Sequence, residues 1–90
     1  MYNPPIPMNS FNLAIEYAKR ALMLDNKNSF AYCTLAEAYA AKQDDEGFYQ
    51  NIELALQYGF PVWEQLDEVV YDKYVKQPRF QTMMVKYKKI

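Results

Sequence analysis

The side chains able to do chemistry are few in this chain, and the type that is missing decides most of what they can do. There is no histidine and a single cysteine, Cys33. Without imidazole the chain lacks the usual general base, proton shuttle and metal ligand. A thiol nucleophile at Cys33 would need such a base beside it. One cysteine can neither close an internal disulfide nor build a zinc site. The carboxylates fall in two runs, Asp44-Asp45-Glu46 and Glu64-Gln65-Leu66-Asp67-Glu68. Neither has the alternating ligands and glycine of a calcium loop. Carboxylate catalysis needs a pair across a cleft with one member buried, and nothing in the pattern supplies a cleft. The expectation is a protein that is not an enzyme, with no cofactor, no metal and no small-molecule substrate.

The cations gather at the other end. After Asp72 come Lys73, Lys76, Arg79, Lys86, Lys88 and Lys89 with no acid among them, and Tyr74, Phe80 and Tyr87 interleave. Basic residues among aromatics are a footprint of nucleic-acid contact. Against that, cations near a helix C-terminus complement its dipole, and the aromatics fit a buried stripe. The net charge of −1 gives no overall pull toward a polyanion or an acidic lipid surface. Nucleic acid is therefore disfavoured as a partner.

The elements that must position these groups are helices. Phe11, Ala14, Ile15, Ala18, Ala21 and Leu22 recur at the spacing of one helical face, with Asn9 or Ser10 as N-cap. A second helix opens after Asn28 or Ser29 and carries Ala31, Leu35, Ala38 and Tyr39 on one side. Lys42 to Gly47 makes a tight turn, and a third helix buries Phe48, Ile52, Ala55 and Leu56 before Gly59 and Pro61 end it. Beyond it the pattern weakens: a short helix from Pro61 to Leu66, another turn or two from Val69 to Lys76, and a final helix from Pro78. The first and third helices repeat each other 34 residues apart, with Ala21-Leu22 returning as Ala55-Leu56, Ala18 as Ile52 and Ile15 as Tyr49. A fixed period of that size marks a stacked array in which no unit buries its apolar face alone.

One complete unit lies between the markers. Ser29-Phe30-Ala31-Tyr32-Cys33-Thr34-Leu35-Ala36-Glu37-Ala38-Tyr39, a polar turn, and then Phe48 to Leu56 resemble the tetratricopeptide repeat, and Ala14 to Asp25 resembles the second helix of a preceding unit. Asn26 stands where the family usually has proline, and Phe48 where a small residue is normal. Tyr71-Asp72-Lys73-Tyr74 with Gln77-Pro78-Arg79-Phe80-Gln81 resembles the tail that closes many bacterial arrays of this family. The resemblance implies an all-α fold: a half-unit over 10–26, a complete unit over 29–59 and a degenerate closing segment over 61–90, preceded by a proline-rich lead or linker over 1–9.

It also implies a function, non-catalytic protein–protein interaction as a scaffold or adaptor. Ligands of the family lie mostly on the concave face. Carried onto this sequence, that face presents Phe30, Cys33, Glu37 and Ala40, with Ala41 at its edge, as a groove for a peptide or helix. Glu37 and the lack of a basic residue there disfavour a carboxylate clamp and favour a basic or neutral partner. The first helix, with no partner helix ahead of it, presents a second open surface around Phe11, Ile15 and Leu22, to be covered either by further sequence preceding Phe11 or by a second copy of the chain. The alternative reading is a structural C-terminal part of a larger bacterial protein or a self-associating repeat unit. Apolar residues make up 51% of the chain and aromatics 17%, enough to disfavour disorder. No stretch is long and apolar enough to span a bilayer, and the single cysteine fits a reducing compartment, so the compartment is left open with a soluble, cytoplasmic setting favoured.

Overall fold

The computed structural model describes residues 8–88, and these form four α-helices and two 3-10 turns, with no strand among the described residues. The order is α1 (Met8–Leu24), α2 (Ser29–Ala41), α3 (Asp45–Gln57), the 3-10 turns Val62–Gln65 and Val69–Tyr71, and α4 (Pro78–Lys88). Of the proline-rich lead, residues 1–7 lie outside the described residues and the rest is already helical. Asn9 and Ser10, expected as caps, therefore sit inside α1.

Two helix starts follow the sequence signals closely. Asn28 caps α2 by accepting from the Ala31 N–H at 3.1 Å, and Asp44 caps α3 by accepting from the Gly47 N–H at 3.0 Å. Each satisfies one of the four N–H groups a helix start leaves without a partner. Gln43 adopts a left-handed φ of 63° to turn the chain between the two helices. That short turn forces α2 and α3 antiparallel. Gly59, at φ +100°, ends α3: its N–H reaches Leu56 and that of Phe60 reaches Ala55. This double bond pattern is the glycine-based helix stop.

The core has two parts. Ile15 and Ala18 of α1 pack with Ala31, Leu35 and Ala38 of α2. The small residues let the helices approach, while Ile15 and Leu35 fill the seam. The larger cluster joins Ala36, Phe48, Ile52, Ala55 and Leu56 to Val62, Tyr71, Tyr74, Phe80 and Met83 from the C-terminal segment. Phe48 is fully buried at its centre. The Phe80 and Tyr71 rings lie 6.2 Å from it. The closing segment is thus integral to the core. Within it, the turn or two of helix expected from Val69 to Lys76 is a single 3-10 turn, Val69–Tyr71.

The first-helix surface also differs from expectation. Ile15 is buried against α2, Phe11 and Leu22 are half-buried, and the apolar residues that face outward are Leu13, Tyr17, Met23 and Leu24. The physical reason is that α2 occupies the stripe through Ile15 and Ala18. The open face of α1 is the one opposite.

Candidate functional site

Thr34, Glu37 and Ala38 lie along α2 at helical spacing and form the floor of a hollow of about 380 Å³. Phe11 and Ala14 of α1 wall one side, and Glu68, Val69 and Val70 close the other. The second wall depends on long-range contacts. Tyr71 is buried, and its hydroxyl donates to Glu37 Oε2 at 3.0 Å, which lays the Val69–Tyr71 turn across α2. A smaller hollow of about 210 Å³ shares Ala14 and Thr34 and runs along the α1–α2 seam to Tyr17 and Phe30.

Cys33 is the main correction to the predicted groove. It is buried rather than exposed, because the C-terminal segment folds over that side of α2. Its Sγ lies 3.4 Å from Glu37 Oε2, 3.6 Å from the Tyr71 hydroxyl and 3.9 Å from Gln65 Oε1. Burial pushes its pKa up to about 12, and the nearby carboxylates Glu37 and Glu68 add to the rise against the opposing Tyr71 hydrogen bond. A thiol so placed is a poor nucleophile and metal ligand. Burial raises the Tyr71 pKa as well.

The other predicted residues scatter. Glu37 lines the larger hollow and Phe30 the smaller, with the Phe30 ring exposed and its centroid 6.2 Å from that of Phe60. Ala40 is drawn into the core and packs against the larger cluster, for the same reason that Cys33 is buried. Ala41 is exposed and lines neither hollow. Thr34, Glu68, Val69 and Val70 were not legible as site residues. They come from two elements more than 30 residues apart, and no periodicity links them.

The basic C-terminal residues are largely engaged by α3. Lys73 pairs with Asp45 at 2.7 Å, Arg79 with Glu46 at 2.9 Å and Lys86 with Glu53 at 3.6 Å. The Arg79 guanidinium also sits 4.0 Å from the centre of the Tyr49 ring. Lys76 and Lys88 are exposed and make no ion pair among the described residues. Lys89 lies outside the described residues. Among the described residues no group of three or more Cys, Asp or Glu could hold a metal ion, and no helix is long and apolar enough to cross a membrane.

No protein-family model matches the chain, and no solved structure matches it. Among curated proteins it is similar to the Sol locus transcriptional repressor of Clostridium acetobutylicum, 37% identical over 84 residues. That alignment covers 91% of this chain and 26% of the repressor, so the chain spans about a quarter of its relative's length. The relative is named for repression of transcription. This overturns the expectation of a protein–protein scaffold or adaptor, and with it the expectation that nucleic acid is a disfavoured partner.

Proposed function

We propose that this chain is a helical segment of a DNA-binding transcriptional regulator, acting on gene expression in the cytoplasm rather than on a substrate. The observation that carries the reading is the 37% identity to a transcriptional repressor over nearly the whole chain. The electrostatics suit a supporting role at DNA. Three of the five described C-terminal cations serve α3 carboxylates, so the segment offers phosphate contacts, not a recognition surface for bases. Lys76 and Lys88 carry those contacts. Phosphate contacts fix position on a duplex and carry no direct sequence information.

In fold terms we propose that α1 to α3 are tetratricopeptide-like, one half-unit followed by one complete unit, with the segment beyond Pro61 closing the array. Supporting this, positions 34 residues apart share their burial: Ile15 with Tyr49 and Ala18 with Ile52 are all buried.

The test is binding of the protein to labelled double-stranded DNA by fluorescence anisotropy across a salt series. The affinity should fall with salt, and Lys76→Gln and Lys88→Gln should each reduce the log–log salt slope by about one. No binding at low salt, or a slope unchanged by both substitutions, would refute the role given to this segment.

A further inference from the structure

The larger hollow combines three properties that together define a ligand. Its volume of about 380 Å³ falls at the small end of the range for small-molecule sites, about 300–1,000 Å³. Phe11 and Ala14 on one side and Val69 and Val70 on the other make its walls mostly apolar. Among the described residues its charged lining is Glu37 and Glu68, with no basic side chain. Among the described residues neither carboxylate takes part in an ion pair.

Glu37 is held in place for the task. The Tyr71 hydroxyl donates to its Oε2 at 3.0 Å, and the Cys33 thiol approaches the same oxygen. Oε1 makes no hydrogen bond among the described residues. A carboxylate has about four lone-pair positions, so Glu37 keeps accepting capacity while its side chain is fixed. Its preset position spares a ligand the cost of ordering it.

We propose that this hollow binds a small organic cation with an apolar body, an alkylammonium or arylalkylammonium ion, with its charge between Glu37 and Glu68 and its body against Phe11, Ala14, Val69 and Val70. An anion meets two carboxylates there and is repelled. A neutral apolar molecule gains no charge pairing from the two carboxylates. A bare metal ion finds too few donors among apolar walls. The site goes beyond the DNA reading and does not depend on it, since none of its residues is Lys76 or Lys88.

The probe is phenethylammonium, compared with 2-phenylethanol and phenylacetate, which share the ring but are neutral and anionic. Titrations followed by amide chemical shifts should move Thr34, Glu37, Ala38, Val69 and Val70 together. The cation should bind about fivefold or more tightly than the alcohol, the worth of roughly 1 kcal/mol in a partly exposed ion pair, and phenylacetate should not bind. Glu68 is exposed, so Glu68→Gln and Glu68→Lys leave the core untouched. The first should weaken the cation about threefold or more and the second should abolish its binding. Equal binding of cation and alcohol, shifts elsewhere on the surface, or full binding to Glu68→Lys would overturn the proposal. So would a lysine-containing peptide that binds where the free ammonium does not, which would make the occupant a protein segment. None of these outcomes bears on the DNA salt series, so the two readings fail separately.

Discussion

The rings of Phe48 and Tyr74 lie stacked, 3.7 Å between centroids and within 7° of parallel. Phe48 opens α3, and Tyr74 comes from the irregular stretch before α4. The pair therefore ties the helical hairpin to the closing segment. Tyr49 meets Phe48 edge-on at 5.2 Å and Tyr74 edge-on at 5.6 Å, the T-shaped geometry that aromatic quadrupoles favour. Phe48→Ala should cost about 3–5 kcal/mol, the range for truncating a buried aromatic. Tyr74→Phe keeps the stack and loses only the hydroxyl bond to Asp45 at 2.8 Å, so it should cost clearly less than Phe48→Ala. Urea denaturation of the two variants checks both, and equal losses would contradict the ranking.

Gly47 should not tolerate alanine, although alanine is the better helix former by about 1 kcal/mol. A Cβ there would lie 2.7 Å from Tyr39 Cγ and 2.9 Å from Asp44 Oδ2. It would press on the ring that spaces α2 from α3 and on the side chain that caps α3. Gly47→Ala should lower the melting temperature, with a net loss of about 1–3 kcal/mol as for other overpacked sites. A variant that melts above the parent would show that Tyr39 can swing aside.

Cys33 should be inert in the folded state. With its pKa pushed up to about 12 against an ordinary value of 9.0, almost no thiolate is present at neutral pH, and thiolate is the reactive form. Iodoacetamide should label it only after denaturant is added. The same shift has a consequence for alkaline stability. The folded state disfavours ionisation, so its contribution is complete below pH 9 and is lost as the pH rises from there toward 12. Cys33→Ala should make the parent's alkaline decline shallower in that window, and identical pH profiles would argue against it.

Asp45 acts at the opposite end of the scale. The Lys73 ammonium and then the Tyr74 hydroxyl, both on Oδ1, hold its pKa below the ordinary value of 3.8. A depressed folded value means stability that is present above pH 3.8 and lost as the pH falls through the folded value. Asp45→Asn should therefore lower stability at neutral pH, where that contribution is present, and flatten the acid limb of a stability-against-pH curve. A steeper acid limb in the variant would reverse the assignment.

Much of the helical framework was legible because its signals are local. Asn28 and the acids before α3 are capping chemistry, Gly59 is a helix stop, and the burial of Leu35 and Ala55 follows from spacing alone. The partners were less legible. Leu35 packs toward α1 rather than α3, because α2 buries different faces against different neighbours. Phe48 looked like a departure from a small-residue position, and its reason lies in Tyr71, Tyr74 and Phe80, which no local pattern connects to it. The same long-range closure explains why Cys33 was read as a groove residue. Helical spacing places it near Phe30 and Glu37 but cannot show that Gln65 and Tyr71 return to cover it. At the hollow, the sequence pointed to Glu37 alone among the acids, since Glu68 reaches it through a turn whose course is set by the burial of Tyr71.

The division of the core into two clusters means that the molecule should not come apart evenly. α1 is held through the smaller cluster, built mainly on alanines with Ile15 and Leu35, while α2, α3 and the closing segment share the larger aromatic one. Subglobal opening should therefore begin with α1 swinging away as a unit, at a free energy well below that of complete unfolding. Native-state hydrogen exchange would show this as faster amide exchange along α1 than at Ile52, Ala55 and Leu56. Such an excursion removes Phe11 and Ala14 from the hollow, so ligand occupancy there would be linked to the order of the N-terminal helix.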